Sequence, residues 1–136
     1  MTTPSRPTLI ALALLGLINL GRGSIHTFLP DGGAGVIAGL DLAQSRETIL
    51  FLFAGLGTGQ IAAGLIDLAV ALRWRAFAVP LLAVEVLRGL LFTAVTQLWK
   101  PPPVEVPGER FIMILTALLS LILIWELARR LRRAPH

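Results

Sequence analysis

Four long apolar stretches run along the chain, separated by short polar punctuation. A helix rising about 1.5 Å per residue needs roughly 20 apolar residues to cross ~30 Å of hydrocarbon. Runs of that length fall at about 8–29, 48–72, 76–99 and 111–128. They are continuous in Leu, Ala, Ile and Val rather than alternating, which predicts helices instead of barrel strands. The expected fold is all-α: residues 1–136 form one transmembrane domain, an integral membrane four-helix bundle. A competing reading takes Arg6, the apolar run from Thr8 to Leu20 and the small Gly21 and Gly23 as a cleavable signal peptide. No Ala-x-Ala follows that run, so a retained first helix is expected.

The connections between the runs are unequal. Arg73-Trp74-Arg75 is short enough to predict that the second and third helices are antiparallel neighbours. The loop at 30–47 opens with Pro30-Asp31-Gly32-Gly33-Ala34-Gly35, which is turn chemistry, and continues with the apolar Val36 to Leu40. That apolar half is expected to lie in the membrane interface or fold back over the bundle. Lys100-Pro101-Pro102-Pro103 stops the third helix, with Trp99 as an interfacial anchor; Trp74 and Trp125 fit that role at the other face.

Composition confirms the environment, and charge placement adds an orientation. Hydrophobic residues make up 55% of the 136, charged residues 15%, and mean hydropathy is +0.79; soluble domains carry about 25% charged residues. A soluble enzyme, a disordered chain and a disulfide scaffold are excluded, the last by the absence of cysteine. Positive charge is retained on the cytoplasmic side of a membrane. Arg6, Arg73, Arg75, Arg129, Arg130, Arg132 and Arg133 share one face of a four-crossing chain. Asp31, Asp41, Glu47, Glu105 and Glu109 outnumber Arg46, Lys100 and Arg110 on the other. Both termini are therefore expected in the cytoplasm of a bacterial inner membrane protein. The pI near 11.4 is then a topology signal, with the arginine tail drawn to anionic headgroups of the lipid bilayer. Nucleic acid binding has no support, because no folded basic surface or aromatic platform accompanies the charge.

An ionisable side chain within hydrocarbon costs about 2.5–3.5 kcal/mol on insertion scales, so each demands a partner, a cavity or a route to the interface. Arg22, His26, Asp67, Glu85, Arg88 and Glu126 are the candidates. Asn19, Arg22 and His26 are spaced by three and four and share one helix face. That face suits an anion or proton site beneath the 30–47 loop, or, in the plainer reading, an Arg22 ion pair with His26 capping at the headgroup boundary. Glu85 and Arg88, at i and i+3, can pair within one helix. Arg22 lies about 7 Å from the level of Glu85 by helical rise, so a network of Arg22, Glu85, Arg88 and Asp67 is expected either as helix glue or as a polar lining. Asp67 can alternatively reach Arg73. Glu126, beside Arg129 and Arg130, reads as a snorkelling surface pair.

Gly55, Gly59 and Ala63 recur every four residues, a small-residue stripe that predicts close helix packing, against the first helix or a second protomer. It is not a phosphate loop, since no strand precedes it and no lysine follows. The inventory also excludes cofactor chemistry. Thiolate metal sites and haem attachment need cysteine, and paired histidine ligation needs a second intramembrane histidine, whereas His136 is the terminal residue. Lys100, the single lysine, sits too near a helix end for a Schiff base. No cofactor, no metal and no enzymatic activity are expected. The plan of four short helices, a glycine-rich first outer loop and an arginine-rich tail resembles the small bacterial membrane proteins grouped as DoxX-like. That resemblance implies only the general fold. Two functions follow from the residues: a protein acting through helix contacts, as a homo-oligomer or an accessory subunit of a membrane complex, or a small-molecule or ion binder or transporter with a polar intramembrane site.

Overall fold

The computed structural model describes residues 3–102 and 106–133, with Arg133 described by its backbone alone; Pro103, Glu105 and His136 lie outside that range. Four helices make up the fold: α1 Arg6–Phe28, α2 Arg46–Leu72, α3 Ala78–Ala94 and α4 Pro107–Arg133. A 3₁₀ turn at Arg75–Phe77 leads into α3, and a π turn at Val95–Trp99 extends it. All four spans are long and apolar enough to cross a membrane, and no strand occurs among the described residues. Ile10, Leu17, Leu65, Ile114 and Leu121 each expose more than half of their surface. That apolar exterior is suited to hydrocarbon rather than water.

Local chemistry sets the helix ends. Ser5 caps α1: its backbone is extended, its hydroxyl accepts from the Thr8 N–H at 3.3 Å, and a proline follows in the first turn, where no N–H is required. Helix α1 stops at Leu29, whose neighbour Pro30 disfavours helical backbone before it. Helix α4 starts at Pro107 rather than 111 and continues to Arg133 rather than 128. Hydropathy sees only the apolar middle, whereas proline at the first position and a run of arginines extend the helix at both ends.

The helices pack as two antiparallel hairpins, α1 with α2 and α3 with α4. In the first, backbone meets backbone at two places seven residues apart. A Cβ added to Gly64 would lie 2.7 Å from the Gly16 carbonyl oxygen, and one added to Gly23 would lie 2.7 Å from that of Gly57. The stripe expected to make such contact is on the opposite side. Gly55 and Gly59 have nothing within 4 Å of a Cβ position, and Ala63 is half-buried. Two residues rotate a helix by about 200°, so 55 and 59 must point away when 57 points in. In the second hairpin, the Thr116 side chain sits on the backbone of Gly89.

A single apolar core joins the hairpins at the end of the bundle that carries both termini, where Leu12, Leu15, Leu82, Val86 and Leu119 meet. Helices α2 and α3 make little contact, and the core residues they share, Val70, Ala71 and Ala78, sit beside their connecting turn. The expectation that the short turn makes them packed neighbours is therefore corrected: each finds its neighbour in its own hairpin.

Glu126 is a second correction. It is fully buried rather than a surface pair. Its Oε2 accepts from the Ser5 N–H at 3.2 Å and the Thr8 hydroxyl at 3.3 Å, and Arg129 and Arg130 donate to Oε1 at 2.7 and 2.8 Å. Arg129 also donates to the Thr3 carbonyl at 2.8 Å. The capped first turn of α1 lies over the carboxylate and excludes solvent, and the two guanidinium groups compensate the charge.

Candidate functional site

At the opposite end of the bundle the connection between α1 and α2 winds into a compact turn. The carboxylate of Asp31 organises it: Oδ1 accepts from the Gly33 N–H at 2.9 Å, and Oδ2 accepts from Gly35 at 3.2 Å and Val36 at 2.9 Å. Gly32 and Gly33 adopt φ of +60° and +75°, which only residues without a Cβ take readily. The Val36 N–H, and next the Gly33 N–H, hold the Asp31 carboxyl below its ordinary pKa. The apolar half of the segment folds back over the bundle, with Ala34 fully buried and Val36 left outside.

His26 pins this turn to α1. Its Nδ1 lies 2.7 Å from the carbonyl oxygen of Gly32. A carbonyl only accepts, so Nδ1 carries the proton and Nε2 is left as an acceptor. The ring is held edge-on to Phe53 of α2, with centroids 5.1 Å apart and planes at 87°.

Beneath the turn lies a cavity of about 550 Å³ bordered by all four helices. Its walls are mostly apolar, with Leu15, Ile18, Phe53, Phe92, Phe111 and Leu115 prominent. Its size is typical of small-molecule sites, which span about 300–1,000 Å³. Polar side chains come from all four helices: Asn19, Arg22 and His26 from α1, Gln60 from α2, Glu85 and Arg88 from α3, and Glu109 and Thr116 from α4, with Thr96 from the π turn.

These groups do not form the network expected from spacing. Arg88 Nη2 is 2.6 Å from Glu85 Oε2, within one helix, and the charge of Asp67 acts on both at longer range. Asp67 is fully buried but turned away from the cavity, where its Oδ2 accepts from Asn19 Nδ2 at 3.0 Å and its Oδ1 has no partner. Neither Arg73 nor Arg88 forms an ion pair with it at contact distance, although Arg88 acts on it from further off. Arg22 meets no acid: among the described residues it makes no ion pair or hydrogen bond, and its guanidinium lies 5.5 Å from the centre of the Phe111 ring. It is a half-buried cation facing apolar walls, compensated only by a ring face.

Arg22, His26, Glu85 and Arg88 are thus brought to one cavity, and Asp67 stands behind it. Sequence reasoning missed the parts played by Phe111 and Gln60. Gln60 Oε1 is buried with no partner, and a glutamine in the middle of an apolar run was the available signal. Nothing in the sequence marks Phe111, which depends on how α4 is rotated. Among the described residues no cluster of three His, Asp or Glu side chains is arranged to hold a metal ion. The cavity can enclose an apolar body and answer one negative or strongly polar group at Arg22. Comparison with protein-family models, curated proteins and solved structures found no match. The DoxX-like outline accordingly contributes no residue to the site.

Proposed function

We propose that this is a multi-pass membrane protein, with both termini in the cytoplasm of a bacterial inner membrane, that binds a small molecule in the cavity beneath the 30–45 turn. The orientation is supported by the basic residues of the 73–75 turn and the C-terminal tail. One observation carries the binding function: Arg22 borders a mostly apolar cavity of about 550 Å³ and, among the described residues, forms no ion pair. An uncompensated cation at membrane depth is costly, and a bound molecule that supplies the missing negative charge offsets that cost. The test is native mass spectrometry of the protein extracted from membranes, comparing wild type with Leu115→Trp, which fills the cavity. Wild type is expected to carry a non-protein mass that the variant lacks. A folded wild type with no such mass, and no difference from Leu115→Trp, refutes the proposal.

A second reading, a protein that acts through contacts with another copy or another membrane subunit, draws on the outward-facing Gly55 and Gly59 of α2. There the discriminating experiment is oligomeric state in nanodiscs. Gly59→Leu is expected to abolish self-association if the α2 face is an interface, and to change nothing if that face meets lipid.

A further inference from the structure

We infer that the molecule taken by the cavity is an anionic single-chain amphiphile, drawn from the surrounding lipid layer through the gap between α2 and α3. This rests on the binding function proposed above and specifies its ligand. Three observations carry it.

The first is the wall. Filled with water, the cavity's volume of about 550 Å³ would hold about 18 molecules at ~30 Å³ each, and every one needs about two to four polar partners. The lining is predominantly apolar, its polar side chains are too few for that many waters, and two of them, Glu85 and Arg88, already answer each other. Hydrocarbon fills such a space at lower free energy than water does. The cavity is also elongated: it follows α4 from Pro107 to Leu119, about 18 Å by helical rise. A chain fits that shape, whereas a compact polar metabolite does not.

The second is the charge. Glu85 is paired with Arg88, and Glu109 accepts from Gln97 at 2.7 Å. Among the described residues no carboxylate forms an ion pair with Arg22, which lies near the end of the cavity closed by the turn. A guanidinium there recognises a carboxylate or phosphate by a charge-assisted, two-pronged contact and repels an ammonium. His26 borders the same cavity, with its Nδ1 committed to Gly32.

The third is access. The turn at Gly33, Ile37 and Ala38 roofs the cavity, so the axial route is covered. Helices α2 and α3 make little contact beyond their connecting turn. Leu56 of α2 and Phe92 of α3 both border the cavity and are exposed. The open side therefore faces the flank of the bundle, where hydrocarbon chains lie.

The experiment compares dodecanoate, dodecylamine, dodecanol and acetate with the purified full chain, read by one-to-one adducts in native mass spectrometry and by thermal stabilisation. Dodecanoate is expected to bind, dodecylamine and acetate to fail at the same concentration, and dodecanol to bind at least tenfold more weakly. Arg22→Gln should weaken dodecanoate by about tenfold or more, with Arg22→Lys restoring most of it. Equal binding of dodecylamine or dodecanol, or undiminished binding of dodecanoate to Arg22→Gln, overturns the anionic headgroup while leaving the cavity function standing. Binding of acetate alone with the strength of dodecanoate assigns the site to an aqueous anion and overturns the lipid source. Failure of every probe, together with identical behaviour of Leu115→Trp and wild type, removes the binding function itself. If Arg22→Gln does not fold, the charge selectivity of wild type among the three twelve-carbon probes decides the matter.

Discussion

Alanine placed at Gly64 and at Gly59 should have opposite effects on stability, although the two residues are five apart on one helix. At Gly64 the new Cβ meets the Gly16 carbonyl oxygen at 2.7 Å and both the Leu20 nitrogen and Leu20 Cγ at 3.0 Å. Carbon and carbonyl oxygen settle at about 3.3–3.6 Å, so α1 and α2 must separate by roughly 0.6 Å or more. Backbone lies on both sides of the closest contact, so rotation of the Leu20 side chain relieves only part of it. Overpacking of this kind costs about 1–3 kcal/mol, against a gain of about 0.5–1 kcal/mol for replacing glycine within a helix. The net expectation for Gly64→Ala is a loss of about 0.5–2 kcal/mol. Gly59→Ala meets nothing within 4 Å and keeps only the gain. Subtracting one variant from the other cancels the helix-propensity contribution and isolates the interhelical contact. Reversible unfolding in mixed micelles, followed by far-ultraviolet circular dichroism, measures both. If Gly59→Ala loses as much stability as Gly64→Ala, the assignment of the packed face of α2 is wrong.

Three further outcomes follow from the buried polar groups and the turn. Glu126→Ala strips Arg129, Arg130 and the first turn of α1 of their shared acceptor; it should cost about 3–5 kcal/mol, with Glu126→Gln costing less, as read by the melting temperature in detergent. Asn19→Leu leaves the Asp67 carboxylate buried without its donor and should destabilise by at least about 1–3 kcal/mol, whereas the double variant Asn19→Leu with Asp67→Leu should recover much of that loss in a double-mutant cycle. The Asp31 carboxyl titrates below its ordinary value of 3.8. Its hold on the turn is therefore complete above the unfolded value and is lost as pH falls through the lower folded one. The Gly33 and Val36 amide resonances should stay constant from about pH 7 to 5 and move only below about pH 4. A midpoint above 3.8 contradicts the turn geometry, and Asp31→Asn should abolish the transition.

The four helices were legible because length and hydropathy are properties of one segment at a time. Their partners were not, because pairing depends on how each helix is rotated. On α2 the glycines offer two periodicities, 55 and 59 at four and 57 and 64 at seven. Only α1 decides between them: its Gly16 and Gly23 are also seven apart, and matching spacings on consecutive helices was the signal available. Arg22 and His26 were identified as costly residues, but the same spacing suits an ion pair and a cavity equally well. What separates the two is where the cavity's acids turn: among the described residues Glu85 pairs with Arg88 and Glu109 accepts from Gln97, and neither forms an ion pair with Arg22, which is a three-dimensional fact. Glu126 was misread because its sequence neighbours are arginines, and a surface pair needs nothing more. Ser5 and Thr8, the residues that bury it, lie more than a hundred positions away.

That separation also fixes the order in which the protein can be completed. Thr8 is synthesised 118 residues before the carboxylate that accepts its hydrogen bond. At about 5–20 residues per second the interval is roughly 6–24 s. Throughout it, the first turn of α1 has its Ser5 cap but lacks its distal acceptor, while the glycine contacts with α2 are already available. The α1–α2 hairpin is thus the part that can assemble early, and closure at the terminal end of the bundle waits for the last helix. Truncation just before Glu126 is expected to leave every residue of the cavity lining in place and the first turn of α1 without its acceptor, so that only the terminal end of the bundle stays open.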